Sequence, residues 1–262
     1  MITLTDAQIQ AWLGMLLWPF FRILAIFAMD PFYSSRSIPV RVRVGLSMML
    51  AILIAPSLPP MPAIEPVSAL GILVIAQQLL IGLAIGFTMR LVFSSIEMAG
   101  HLAGLQMGLG FASFYDPQHG TNTVVVAQFA SLLTILVFLA MNGHLLVIET
   151  IARSFVLLPI SDQPMKLAGL KLLVDAGGQI FTLGLLLSLP VLAALLITNL
   201  SIGVMSRAAP QFNVFAVGFP LTLGIGVAAL YFSLPQFPPH IHRLMEEATR
   251  LAYRLAKVFG GG

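Results

Sequence analysis

Long apolar segments follow one another along almost the whole chain, and most of them have the roughly 20 residues that a helix needs to cross a membrane. Six such segments lie at 7–29, 44–58, 67–93, 124–148, 179–206 and 211–235. The composition agrees, because 58% of the residues are hydrophobic and only 9% are charged, against about 25% charged residues in an ordinary soluble domain. The sequence therefore predicts an all-α membrane protein and argues against a soluble enzyme.

A seventh segment, 96–115, is apolar but rich in glycine, and only two serines separate it from the segment before it. Two structures are compatible with this pattern: a separate crossing, or one long kinked helix followed by non-helical backbone. Non-helical backbone at membrane depth is tolerated only where protein buries it or where it lines a cavity. We therefore expect six to seven apolar helices.

Basic residues indicate an orientation, because short loops rich in Lys and Arg stay on the cytoplasmic side. The loop 30–43 contains three arginines and would be cytoplasmic, whereas the N-terminus and the proline-rich loop 56–66 lack basic residues and would lie outside. If 96–115 is a separate crossing, the C-terminal tail is also cytoplasmic. Most of the 13 basic residues then lie on that side.

The C-terminal tail differs from the rest of the chain. Apolar residues recur at helical spacing from Ile241 to Val258, with charged residues on the opposite face, which predicts an amphipathic helix. We therefore divide the chain into a membrane domain, 1–239, and an amphipathic cytoplasmic helix and tail, 240–262. The helix could anchor the last crossing at the membrane interface or dock onto a cytoplasmic partner.

Glycines recur every four residues at Gly100, Gly104 and Gly108. This spacing leaves one helix face without side chains, so another helix can approach closely. Close packing between helices is the simplest interpretation of the three glycines.

The stretch 108–120 directly follows these glycines and combines further glycines with an Asp-Pro step, which a helix does not accommodate. Phe111, Phe114 and Tyr115 then lie on non-helical backbone. In a soluble protein this would be an ordinary loop, but between two apolar segments it can form a constriction or a plug that lines a cavity.

A second unusual stretch, 207–221, places Gln211 and Asn213 between Pro210 and Pro220. A proline inside an apolar helix frees a carbonyl group, and amide side chains can satisfy such a group or contact a partner helix. A kinked crossing with local capping would explain the stretch equally well.

Ionisable side chains in or near the apolar segments are functional candidates, because an isolated charge in hydrocarbon is costly. They are Arg22, Arg90, Glu97, His101, Glu149 and Asp175. A proton relay is one interpretation, but only Arg22 and Glu97 lie deep within a segment. Glu97 and His101 share a helix face but lack the third ligand that a metal site requires.

No catalytic residue, metal site or cofactor site is predicted, because the hydrolase, metalloprotease and nucleotide-binding motifs are all missing. The chain has no cysteine, which excludes sulfur-ligated metals. The basic residues are scattered, so nucleic-acid binding is not expected. A small-solute secondary transporter is a more distant functional hypothesis, since Pro190 and Pro220 interrupt adjacent segments, but the first half of the chain shows no matching repeat.

Three stretches resemble the FliR family of flagellar export-gate membrane proteins, whose injectisome relatives share the pattern. They are PFYSSRSIPVRVRVGL at 31–46, GLQMGLGFASFYDP at 104–117 and RAAPQFNVFAVGFPLTLGIG at 207–226. The resemblance extends over nearly the whole chain, and its most specific part is the stretch 207–226.

The resemblance implies a non-enzymatic subunit of the bacterial inner membrane and flagellar basal body, built of helical hairpins. FliR-like proteins form an export gate with FliP-like and FliQ-like subunits, and unfolded flagellar proteins pass through it. An FlhB-like and an FlhA-like protein lie at its cytoplasmic side. The injectisome counterpart is the closest alternative function.

The resemblance also assigns site residues. It places the family's plug loop on 108–120, so that Phe111, Phe114 and Tyr115 would seal the closed pore. The residues expected to pack against sister subunits are Gly100, Gly104, Gly108, Arg207, Gln211, Asn213 and Phe215.

Overall fold

A computed structural model describes residues 6–59, 64–111, 124–211 and 213–261, and within these ranges the regular structure is entirely helical. The α-helices are α1 (Asp6–Met29), α2 (Val40–Ile54), α3 (Ala69–Gln106), α4 (Val125–Ala140), α5 (Gly143–Leu157), α6 (Ala168–Gly177), α7 (Gln179–Ala208), α8 (Val214–Ser233) and α9 (Phe237–Gly260). Short 3₁₀ turns lie at Ala55–Ser57, Leu109–Phe111 and Leu234–Gln236. The prediction of an all-α fold is confirmed.

Several helices have the length and composition of membrane crossings. Five helical segments of the described ranges meet both requirements, and the bent pair α4 and α5 would make a sixth. Two hairpins are present, because α1 packs against α2 and α7 packs against α8. The chain is therefore a membrane protein of the helical class that the sequence predicts.

Of the two structures compatible with the segment 96–115, the single long helix is the one present. Helix α3 continues through Ser94 and Ser95 for 38 residues, which at about 1.5 Å per residue is about 57 Å, nearly twice the thickness of a bilayer core. Non-helical backbone follows it, as the alternative interpretation proposed. The argument that placed the C-terminal tail in the cytoplasm needed a separate crossing here and no longer applies.

The segment predicted as one crossing at 124–148 is broken into two helices, α4 and α5. The break lies at Asn142, whose φ of 56° is left-handed. Asparagine accepts this conformation more readily than most residues. The apolar content of the segment alone does not predict a helix break at this position. Helix α6, which has 10 residues and carries Lys171 and Asp175, was not predicted from the sequence.

The amphipathic helix predicted at the C-terminus is present as α9, and its apolar face is buried within the protein. Ile241, Met245 and Leu255 are each at most 2% exposed. Near its end the chain contacts the segment that precedes α6, where the Lys166 amide donates to the Phe259 carbonyl oxygen at 3.1 Å. The apolar face of α9 is thus occupied by intramolecular packing.

The chain divides into two compact units. Unit 1 comprises residues 1–91, 142–177 and 245–262, and unit 2 comprises residues 92–141 and 178–244. In unit 1, α3 packs closely against α1 through glycine: a Cβ atom at Gly86 would lie only 2.6 Å from the carbonyl oxygen of Ile26. Gly82 meets the backbone of Arg22 in the same way.

Arg22 is fully buried in unit 1 and connects three helices. Its Nε donates to Gln78 Oε1 at 2.7 Å, and its Nη1 donates to the carbonyl oxygens of Ser154 and Leu158 at 3.1 and 2.9 Å. These carbonyl groups lie at the C-terminal end of α5, where backbone acceptors lack helical partners and where the helix dipole is negative. The guanidinium also lies 4.3 Å from the centre of the Phe155 ring. Arg22 therefore caps α5 from α1.

Asp30 is a second buried polar group of unit 1 and lies directly after α1. Its Oδ1 accepts hydrogen bonds from the amides of Phe32 and Tyr33 at 2.9 and 3.1 Å, while Oδ2 is buried without a partner among the described residues. Burial raises the pKa of the Asp30 carboxyl group to about 6, although the two amide hydrogen bonds oppose the shift.

Tyr33 links this turn to α2 and α5. Its hydroxyl donates to the His144 carbonyl oxygen at 3.3 Å, and its own carbonyl oxygen accepts from Arg43 Nε at 3.0 Å. Burial, and then the negative charge of Asp30, raise the pKa of Tyr33 to about 12. Asp30 and Tyr33 together fix the turn that joins the first hairpin.

The raised pKa of Asp30 predicts a pH-dependent stability. The folded protein binds the proton more tightly than the unfolded chain, so this contribution is complete below pH 3.8 and is lost as the pH rises through about 6. The loss amounts to about 3 kcal/mol. Asp30→Asn keeps an oxygen acceptor for the two amides but cannot ionise, so its unfolding midpoint in detergent should fall less than that of the parent between pH 4 and pH 7.

Asp162→Asn, at an exposed aspartate, is the matched control and should retain the pH dependence of the parent. Parallel pH profiles for Asp30→Asn and the parent would contradict the role assigned to Asp30.

Candidate functional site at the base of the glycine-rich loop

The predicted plug residues fall mostly outside the described residues. Phe114 and Tyr115 lie outside them, as does the side chain of Phe111, whose backbone ends the 3₁₀ turn Leu109–Phe111. We call the stretch 108–120 the glycine-rich loop, and the chain is described again from Val124. The site can therefore be built from the residues that hold the two ends of this loop, all of which belong to unit 2.

The loop starts where α3 ends. The Met107 amide still donates to the Ala103 carbonyl oxygen at 2.9 Å, as in an α-helix. The Gly108 amide donates instead to the Leu105 carbonyl oxygen at 3.0 Å. Gly108 has a φ of 85°, the left-handed conformation in which glycine commonly ends a helix. A Cβ atom here would also lie 3.2 Å from the Phe219 ring. The expected helix break at Gly108 is thus confirmed.

The Met107 side chain packs against α8 at Gly226. Its side chain is 1% exposed, and a Cβ atom at Gly226 would lie only 2.5 Å from Met107 Cγ. Thr222 Oγ1 lies 3.0 Å from the Phe219 carbonyl oxygen of its own helix and 3.5 Å from the Met107 carbonyl oxygen. The second half of the stretch 207–226 therefore packs against the residues that begin the loop.

Val124, the first residue described after the loop, packs against α3. A Cβ atom at Gly104 would clash with the side chain of Val124, and one at Gly100 would lie 2.5 Å from Ala127 Cα. The backbones of α3 and α4 therefore approach directly, as small-xxx-small spacing permits. The glycines thus have partners within the chain, and their packing against sister subunits remains a prediction.

An apolar core joins the helices around this site. The buried residues in this core are Met107, directly after α3, together with Ala103 of α3, Val126 of α4, and Val191 and Leu195 of α7, and Leu223 and Leu230 of α8 pack against them. Met107 is therefore both a core residue and the last residue before the left-handed turn. The contact between Met107 and Gly226 was not predicted, because a glycine inside an apolar helix does not reveal which side chain fills the space beside it.

The polar residues at the beginning of the stretch 207–226 point away from this core. Arg207, Gln211 and Asn213 are exposed. Asn213 Oδ1 accepts a hydrogen bond from the Ala216 amide at 3.3 Å, so it caps the start of α8. The side chain of Phe215 lies outside the described residues. Contacts of these four residues with sister subunits remain a prediction.

Unit 2 also has two apolar cavities. One, of about 370 Å³, lies beside Gly100 between α3, α4, α7 and α8. The other, of about 420 Å³, lies next to Pro190 of α7 and Phe232 of α8. Phe232 is 77% exposed and Leu200 of α7 is 71% exposed. Exposed apolar surfaces of this extent indicate contact with lipid or with other protein chains.

The ionisable candidates have different environments. Arg22 is buried within the protein, whereas the side chain of Glu97 is 44% exposed and lies 3.9 Å from His101 one turn away. Glu149 pairs with Arg153 at 2.9 Å in the same manner. In the ranges that the structure covers, no group of three or more metal-binding side chains occurs.

The contact between α3 and α4 predicts opposite effects for one substitution at two glycines. Gly100→Ala should destabilise the protein by about 1–3 kcal/mol, because its methyl group meets backbone. Gly203→Ala should stabilise it by up to about 1 kcal/mol, because Gly203 of α7 is exposed with open space around it and alanine favours a helix. Thermal unfolding in detergent measures both, and a Gly100→Ala variant as stable as Gly203→Ala would contradict the close contact.

Comparison with known proteins supports a relationship along almost the entire chain. Residues 13–248 match the family "Bacterial export proteins, family 1". The chain is 43% identical to the flagellar biosynthetic protein FliR of Pectobacterium carotovorum and 40% identical to that of Escherichia coli, over 96% of both chains in each case. It is 28% identical to the Bacillus subtilis FliR over 80% of this chain and 82% of that protein. The chain therefore belongs to the FliR family of bacterial flagellar export proteins.

Proposed function

We propose that the chain is a structural subunit of the flagellar type III protein export gate in the bacterial inner membrane. The observation that carries this proposal is the similarity to flagellar FliR proteins over 96% of the chain, which also favours the flagellar system over the injectisome. In this function the chain forms, with FliP-like and FliQ-like subunits, the channel through which unfolded flagellar proteins are exported. It needs no catalytic residue or cofactor, because export energy is supplied by other components.

The surfaces of unit 2 support assembly with other subunits. Its two apolar cavities and the exposed apolar residues of α7 and α8 provide contact area for further helices. The exposed residues Arg207, Gln211 and Asn213, together with Phe215, would contact a FliP-like or FliQ-like subunit. FlhB-like and FlhA-like proteins would then join at the cytoplasmic side.

The loop 108–120 would supply the plug of this channel, with Phe111, Phe114 and Tyr115 sealing the closed pore. The packing at both ends of the loop supports this role, because a plug must be held in place at its base. Aromatic rings in a constriction exclude water and ions, and a passing chain can displace them without breaking strong directional bonds.

Native mass spectrometry tests the assembly. After co-expression with the FliP-like and FliQ-like proteins of the same genome, we expect one large complex that contains a single copy of this chain. Recovery of the chain only as a monomer or homodimer would contradict the proposal, and solute-transport assays would then test the alternative of a secondary transporter.

Ion leakage tests the plug. Replacing Phe111 and Phe114 by Gly should raise the ion conductance of membranes that contain the assembled complex, because the constriction loses its apolar rings. The matched control replaces both residues by Leu, which keeps apolar bulk and should leak less than the glycine variant. An unchanged conductance in the glycine variant, with the complex intact by native mass spectrometry, would exclude these residues as the seal.

A further inference from the structure

A small polar cavity of unit 1 has no part in the proposed function. It has a volume of about 80 Å³ and lies between α3, the segment that joins α5 to α6, and the end of α9. Two of its lining residues, Gln77 and Gln78 of α3, are at most 7% exposed, whereas Gln163 and Lys166 of the joining segment are exposed. The cavity therefore has a buried polar floor and a rim at the surface of the unit.

Arg22 brings a positive charge to this floor. Its Nε donates to Gln78 and its Nη1 donates to Leu158, and both of these residues line the cavity. Nη2 lies between Nε and Nη1 in the planar fork of the guanidinium group, so it faces the side on which Gln78 and Leu158 lie. Arg22 is fully buried, and its Nη2 has no hydrogen-bond partner among the described residues. An unsatisfied charged donor is therefore directed toward the cavity.

The charges around the cavity are positive. Lys166 lines it and Arg22 lies behind Gln78, whereas the described lining residues include no aspartate or glutamate. Lys166 also lies two residues before the start of α6, and the N-terminal end of a helix favours negative charge. The oxygen atoms that Arg22 contacts belong to neutral groups. Since buried charges in proteins are normally paired, an anion in the cavity would supply the counter-charge.

We propose that the cavity binds one phosphate group, which Arg22 Nη2 contacts from the floor and the Lys166 ammonium group contacts from the rim. Arginine binds phosphate oxygens through its planar fork, and lysine binds them as a point charge. Gln77 and Ser161 also line the cavity and carry further hydrogen-bond donors. The size agrees, because about 80 Å³ is the volume of two or three water molecules at roughly 30 Å³ each, and a single phosphate group is comparable.

The phosphate group has two possible sources, inorganic phosphate and the headgroup of an anionic phospholipid, which present the same oxygen atoms to the cavity. In either case the bound group connects α1, α3 and the segment before α6. A ligand that binds only the folded protein stabilises it, so occupation of the cavity should raise the unfolding temperature of the chain.

Thermal unfolding of the full chain in detergent tests the site with sodium phosphate. The unfolding midpoint should rise with saturation, whereas sodium chloride at equal ionic strength accounts for non-specific salt effects. Lys166→Glu reverses the charge at the rim and should weaken the apparent phosphate affinity about five- to tenfold. The matched control is Lys171→Glu, at an exposed lysine of α6 that does not line the cavity. It changes the net charge equally and should keep the affinity of the parent.

Nanodiscs distinguish the two sources. If the ligand is inorganic phosphate, sodium phosphate should raise the midpoint equally in nanodiscs of phosphatidylcholine and of phosphatidylglycerol. If it is a lipid headgroup, the midpoint should already be higher in phosphatidylglycerol, and Lys166→Glu but not Lys171→Glu should remove the difference. The proposal is overturned if neither sodium phosphate nor phosphatidylglycerol has an effect that Lys166→Glu reduces more than Lys171→Glu does.

Arg22→Gln tests the floor of the cavity. This variant loses the cap of α5 and should unfold at a lower temperature than the parent. If it folds, its midpoint should no longer respond to the probe that stabilises the parent, because hydrogen bonds to a charged group contribute about 1.5–3 kcal/mol, which is about a tenfold change in affinity or more. A folded Arg22→Gln variant with the parent's response would overturn the role of Arg22. If the variant does not fold, the comparison of Lys166→Glu with Lys171→Glu decides.

Discussion

Helix backbones approach each other closely along α3, where glycines leave no side chain between neighbouring helices. In unit 1, Gly82 and Gly86 meet the backbone of α1, and in unit 2, Gly100 meets the backbone of α4. Lipid provides no hydrophobic driving force between apolar helices, so their packing depends on close van der Waals contact. The residue that follows the loop 108–120 in the described structure depends on this arrangement, because Val124 packs against Gly104.

Buried polar groups in unit 1 use helix ends and turns as their partners. Arg22 binds the carbonyl groups at the end of α5, and Asp30 binds the amides of the turn after α1. Backbone groups at helix ends lack helical partners, so an arginine or an aspartate can bind them, and these contacts satisfy part of each buried side chain. A buried charge in hydrocarbon is otherwise costly. These residues connect helices, and the apolar pattern of the sequence does not predict those connections.

Apolar segments of the right length were sufficient to predict the all-α fold and most helices, because a crossing requires a long run without charge. Local composition was not sufficient at the junctions. Two serines after 67–93 suggested a boundary inside α3, since their polarity resembles that of a loop, although a helix accommodates them. The break at Asn142 depends on one left-handed residue, and α6 is too short and too polar to resemble a crossing.

The sequence by itself determined the membrane class, the relationship to FliR proteins and the helix break at Gly108, because these depend on composition, motif and local backbone preference. The tertiary structure alone decided the partners: Gly226 with Met107, Gly104 with Val124, and Arg22 with the end of α5. A glycine in a helix predicts that another part of the chain can approach closely at that position, but not which residue approaches. The identity of the contacting residue depends on how helices that are distant in sequence pack together, and helical periodicity contains no information about that packing.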